Sequence, residues 1–139
     1  LAILDELDAS EPIALLPKPA AAAFARGTIT IDEVPGDDTT VGIGPNGYRW
    51  RNMASALPQI QVDEESTPEA EALKLASAIN AYDSQVSATA NGPTILVTAK
   101  VIGEAGNSIP ILLDGPFSAP TTTLTGGVNP LAPPTKIIL

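Results

Sequence analysis

The side chains best suited to chemistry in this sequence are carboxylates, and they gather in two places: Asp37-Asp38 and Asp63-Glu64-Glu65. Adjacent carboxylates suggest a calcium site or a general acid–base pair. Calcium draws its many oxygens from a loop in which acidic residues alternate with others, and neither cluster has that spacing. Both therefore read as turn and helix-cap residues facing water. A glycosidase pair needs no local motif, because its two carboxylates converge in space. Aromatic residues make up only 4% of the chain, however, which leaves little to stack a sugar ring. Gly103-Glu104-Ala105-Gly106-Asn107 could suggest a phosphate cradle, but a Walker loop ends in Gly-Lys-Ser/Thr and opens a helix. Here Asn107-Ser108-Ile109-Pro110 leads towards a strand, so a turn is expected. Histidine and cysteine are both absent. That removes imidazole-based triads, thiolate nucleophiles, thiolate zinc sites and disulfides. The expectation is no catalytic residue, no cofactor and no metal site.

Arg49 and Arg51 flank Trp50, a grouping that on a basic surface would stack nucleic-acid bases. Strand alternation instead sends Trp50 to one face and both arginines to the other. The reading is a core tryptophan with two outward charges that pair with acidic groups. The overall balance agrees: 16 acidic against 7 basic side chains give a net charge of −9. Such a chain lacks the clustered cations that nucleic acid or an anionic membrane would require, so neither is expected as a partner. Hydrophobic residues are 44% of the 139, enough for one domain whose core is packed by Val, Ile, Leu and Ala. No apolar run approaches the length of a membrane span. Leu1-Ala2-Ile3-Leu4 lacks the basic flank of a signal peptide.

Periodicity supplies the elements that must position these groups. Gly27 to Val34 alternates as a strand with Ile29 and Ile31 on one face. Pro35-Gly36-Asp37-Asp38 turns the chain, and Thr39 to Ile43 is a second strand. Gly44-Pro45-Asn46-Gly47 signals a hairpin into a third strand, Tyr48 to Arg51. A short return is expected at Gln59 to Val62. A helix then starts with Thr67 as N-cap and Pro68 at the first helical position, or with Ser66 and Glu69 as a capping box. Ala72, Leu75, Ala76 and Ile79 recur at helical spacing as a buried stripe. Glu69 and Glu71 suit the positive end of the helix dipole. The helix should end near Asn80 to Asp83. Gln85 to Ala90 and Thr94 to Val101 form a hairpin about Asn91-Gly92-Pro93, followed by strands at Ile109 to Leu113 and Thr121 to Thr125. The fold class is α+β: a mainly antiparallel β-sheet module over 27–128 with one covering α-helix.

The flanks, 1–26 and 129–139, read as extended Pro-rich arms. Pro12, Pro17 and Pro19 at one end, and Pro130, Pro133 and Pro134 at the other, remove backbone donors and fix φ. Leu1 to Asp8 alone has the spacing of a short helix. An extended arm cannot bury its own apolar residues. Leu15, Leu16, Ile137, Ile138 and Leu139 are therefore expected to make assembly contacts on a neighbouring subunit, where proline stiffening lowers the ordering cost.

The succession Gly27-Thr28-Ile29-Thr30-Ile31, Val41-Gly42-Ile43, Tyr48-Arg49-Trp50, Ala70 to Asn80 ending Ala-Ile-Asn, Val86 to Ala90, Ile95 to Lys100, Gly103 to Asn107 and Thr123 to Val128 resembles a known module. That module recurs in structural proteins of tailed bacteriophages and is similar to segments inserted in contractile-tail sheath proteins. The likeness rests on strands and turns and carries no catalytic signature. One small module between Pro-rich arms departs from the large sheath subunits. The resemblance thus implies a non-enzymatic virion protein, a head decoration or cement protein or a small tail or neck component. Its partners would be other copies of itself and major capsid or tail proteins. An alternative of another class is a surface-displayed module that binds a receptor or carbohydrate, and a third is a hydrolase built on carboxylates alone. A deep acidic groove beside Tyr48 or Tyr82 would favour these two.

Overall fold

In the computed structural model, which describes residues 21–131, period-two segments become strands and the stripe of Ala72, Leu75, Ala76 and Ile79 becomes one face of an α-helix. Strands β1 (Phe24–Ile31), β2 (Thr40–Ile43), β3 (Asn46–Arg51) and β4 (Gln59–Gln61) precede the helix α1 (Pro68–Tyr82). Strands β5 (Val86–Asn91), β6 (Thr94–Ile102), β7 (Ile111–Asp114) and β8 (Phe117–Ser118) follow it, with a 3-10 turn at Glu104–Ser108. The strands form two four-stranded sheets, ordered β5-β6-β1-β8 and β4-β3-β2-β7. Every pairing is antiparallel except that of β3 with β4. The α+β class, the antiparallel bias and the covering helix are those the sequence implies. The division into two sheets is not, because β1–β6 and β2–β7 join segments far apart in the chain and no local pattern encodes them.

Local boundaries shift for identifiable reasons. Gly44 and Pro45 alone make the β2–β3 turn, with Ile43 opposite Asn46. Gly44 has φ +56° and proline cannot follow it into positive φ, so the turn is type II′ and β3 starts at Asn46 rather than Tyr48. β1 starts at Phe24 rather than Gly27, because Phe24 pairs with Ile102 and Arg26 with Thr98 of β6, across a register shift. The strand expected over Thr121 to Thr125 is reduced to isolated bridges, one of them to Pro110, which has no N–H to extend a ladder. The short helix expected at Leu1 to Asp8 lies outside the described residues.

One buried cluster joins Ile29 and Ile31 of β1, Val41 and Ile43 of β2, Tyr48 and Trp50 of β3, and the stripe of α1. α1 packs on β5, β6 and β1 of one sheet and on β3 and β4 of the other, so a single helix closes both. It also seals a sheet edge. Asn80 of α1 donates from Nδ2 to the Ala88 carbonyl and accepts the Ala88 N–H at Oδ1, both at 2.8 Å. Occupying those edge groups blocks the addition of a foreign strand to β5.

Candidate functional site

Alternation along β3 points Asn46, Tyr48 and Trp50 to the same side, towards α1. Tyr48 and Trp50 are fully buried, and each meets a carboxylate that is itself buried: Asp83 is 5% exposed and Glu71 0%. Both acids come from α1 or its end. Glu71 lies on the first turns, beside Ala72 and one helical turn before Leu75. Asp83 is the C-cap, one turn beyond Ile79. The helix geometry that buries the apolar stripe therefore buries the two acids as well.

Glu71 accepts Trp50 Nε1–H at 3.1 Å on Oε1, and on Oε2 it accepts the Ser66 hydroxyl at 3.1 Å. Lys74 Nζ lies 2.8 Å from the same oxygen, reaching in from the surface. Ser66 is thus a donor to Glu71, and the cap of α1 is Thr67, whose Oγ1 accepts the Ala70 N–H at 3.1 Å with Pro68 following. Of the two starts the sequence allows, the chain uses the Thr67-Pro68 one.

Asp83 accepts four donors. Asn46 Nδ2 at 3.0 Å and Tyr48 OH at 2.8 Å meet Oδ2, while the Gln85 and Val86 N–H groups meet Oδ1 at 2.8 and 3.1 Å. Burial alone would raise the Asp83 pKa, but the bonds from Asn46, Gln85, Tyr48 and Val86 outweigh it and hold the carboxyl below the ordinary aspartate range. Tyr48 is pushed far above the usual tyrosine range, first by burial and then by its bond to Asp83 and that residue's charge. A carboxylate at a helix C-terminus faces the negative end of the dipole. Lys100 answers that end, with Nζ 3.1 Å from the Asp83 carbonyl oxygen. Tyr82 stands edge-on to Tyr48, their ring centroids 6.2 Å apart. The Tyr48–Asp83 contact is therefore a closed seam between β3 and the end of α1. Among the described residues every buried side-chain nitrogen and oxygen has a partner.

The carboxylate clusters singled out by sequence lie on the surface and answer nearby groups. Asp38 pairs with Arg51 at 3.0 Å and Arg49 at 3.5 Å, and Asp37 lies 3.9 Å from Arg51. Asp63 Oδ1 accepts the Glu65 N–H, and Oδ2 lies 3.9 Å from Lys74. Among the described residues no three Asp or Glu side chains converge. Gly103 to Asn107 forms most of the 3-10 turn and is pressed onto the first sheet. A Cβ on Gly106 would come within 2.7 Å of the Ala25 Cβ and 2.8 Å of the Ala99 Cβ, so only glycine allows that approach.

Beside that turn the surface opens into a groove of about 530 Å³, between the β2–β3 turn and the far end of β6. Gly44, Pro45, Val101, Ala105, Ile109 and Pro110 give it apolar walls, and Ser84, Gln85 and Ser108 add polar groups. No sequence pattern marks this groove, because its walls come from four separate segments. Glu71 and Asp83 carried a faint signal, their helical spacing from Leu75 and Ile79. The arm residues Leu15, Leu16, Ile137, Ile138 and Leu139 lie outside the described residues. Compared with protein-family models and with curated proteins, the chain has no match.

Proposed function

We propose that this chain is a non-enzymatic structural protein of a tailed-phage particle, acting in the virion through subunit contacts. Its role would be that of a head decoration or cement protein, or of a small tail or neck component. Its partners would be other copies of itself and neighbouring capsid or tail proteins. The observation that carries this reading is the place where the fold releases its two flanks. Ala23 is hydrogen-bonded to Val128 in both directions at 3.0 Å, so both Pro-rich flanks leave side by side. Phe24, Val101 and Ile102 at that end are exposed apolar residues. Apolar surface of this kind, met by flanks carrying Leu15, Leu16, Ile137, Ile138 and Leu139, suits contact with a neighbour. The buried acids support the same reading, because their oxygens are already engaged by β3, by Ser66 and Lys74, and by the amides of Gln85 and Val86. The outward arginines support it too, since Asp37 and Asp38 answer them where a nucleic acid would need free cations.

The test is deletion of the flanks. The cuts belong at 1–20 and 132–139, because Ala25 is fully buried and Asn129 accepts the Glu104 N–H. Each shortened chain should keep its circular dichroism spectrum and lose most of its incorporation into particles that lack the native protein. Full incorporation of a chain missing both flanks would overturn the reading.

A further inference from the structure

The groove beside the 3-10 turn has the size and lining of a site that encloses several apolar side chains. We infer that it seats the Ile137-Ile138-Leu139 segment of a neighbouring copy of this chain. The inference deepens the assembly reading and rests on it. Asn129 Oδ1 accepts the Glu104 N–H at 2.8 Å, and the next residue, Ala105, is already groove wall. The segment that follows Leu131 therefore departs from the rim of the groove. It carries three consecutive aliphatic residues, Ile137, Ile138 and Leu139, whose chemistry matches the apolar walls.

Its own groove is poorly placed to receive it. Pro133 and Pro134 fix φ at two of the six residues from Ala132 to Ile137, a composition that favours extension over a tight reversal. An extended linker would project Ile137 away from a wall that lies one residue from the anchor, so filling the chain's own groove would require it to turn back. A second copy's groove would make no such demand. Exchange between copies also fits a chain of net charge −9: the apolar segment supplies attraction that like-charged surfaces do not.

The experiment uses full-length chains and reads mass by sedimentation velocity. The native chain should self-associate. Val101→Asp, on a groove-wall residue that is 68% exposed, should raise the dissociation constant about tenfold or more without changing the fold. Ala105→Arg, on another exposed wall position, should do the same and guards against one variant misfolding. The double variant Ile137→Asp, Ile138→Asp should lose association equally. The decisive arm mixes the two kinds. Val101→Asp supplies an intact segment and the double variant an intact groove, so the mixture should pair where each alone is monomeric. A monomeric native chain, association that survives either set of changes, or a mixture that stays monomeric would overturn the inference. Particle incorporation separates the two levels. Incorporation without exchange sinks this inference and leaves the assembly reading standing, whereas exchange in solution with no incorporation does the reverse.

Discussion

The two faces of β3 solve one chemical problem in opposite settings. On the inner face Asn46, Tyr48 and Trp50 donate to Asp83 and Glu71 with water excluded. On the outer face Arg49 and Arg51 pair with Asp38 and Asp37 in solvent, where the Arg51 and Asp38 side chains are 40% and 63% exposed. The outer contacts carry formal charge on both sides, and the Trp50 and Tyr48 contacts on only one. The inner ones nevertheless matter more, because a buried acceptor or donor that loses its partner bears its whole desolvation cost, whereas an exposed ion pair is replaced by water. Burial, rather than charge, ranks the interactions of this strand.

The largest break in that ranking should come from Trp50→Ala. It opens a cavity beside Phe117, whose ring centroid is 5.2 Å away, and leaves Glu71 Oε1 without its donor. The loss should be roughly 3–5 kcal/mol in urea unfolding. Native emission that is red-shifted and open to quenchers would show that Trp50 is not buried. Asp83→Ala should come next, at about 2–3 kcal/mol, because it leaves the Tyr48 hydroxyl and the Asn46 amide without an acceptor. This site also has a pH signature. The folded-state pKa of Asp83 lies below its unfolded value, so its stabilisation is present above about pH 4 and is lost as pH falls through the folded value. The native chain should thus lose stability in acid more steeply than Asp83→Ala, and parallel acid curves would remove Asp83 as a contributor. At the alkaline end Tyr48 has a raised folded pKa. Its contribution holds below about pH 10 and fades as pH rises beyond that.

The same contrast marks what the sequence could and could not reveal. Trp50 inward with Arg49 and Arg51 outward follows from period-two alternation alone, and the Thr67-Pro68 helix start from capping chemistry. Glu71 and Asp83 keep helical spacing with Leu75 and Ile79, but their charge places them outside under any composition-based rule. Their burial depends on donors from β3 and Ser66, and that juxtaposition is tertiary. The two-sheet division and the groove are hidden for the same reason. Each is made by pairing β1, β2, β6 and β7 across long stretches of chain.

Smaller changes at the start of α1 sharpen the ranking. Thr67→Ala removes the N-cap and should cost about 1 kcal/mol. Ser66→Ala removes one of the donors to buried Glu71 and should cost about as much, through a different route. The pair separates when combined with Glu71→Gln. The Thr67 effect should persist in that background, because the cap does not touch residue 71, while the Ser66 effect should shrink. Equal persistence of both would mean that Ser66 acts on the helix terminus rather than on the carboxylate.

The smallest effect belongs to the outer face. Arg51→Ala removes a 3.0 Å contact to Asp38 and a 3.9 Å contact to Asp37, yet all three side chains are at least 40% exposed. Water and counterions take over for each lost partner, so the change should be about 0.5 kcal/mol or less. What remains should be electrostatic and screened, with the difference from the native chain shrinking as salt is raised from low ionic strength towards 1 M. A double-mutant cycle with Asp38→Asn isolates the pair from the turn itself. That separation matters because Asp38 sits at φ +70°, where Asn is tolerated and most other side chains are strained. A coupling comparable to the loss on removing Asp83, and unmoved by salt, would break the ranking by burial and show that this turn holds its charges as rigidly as the core does.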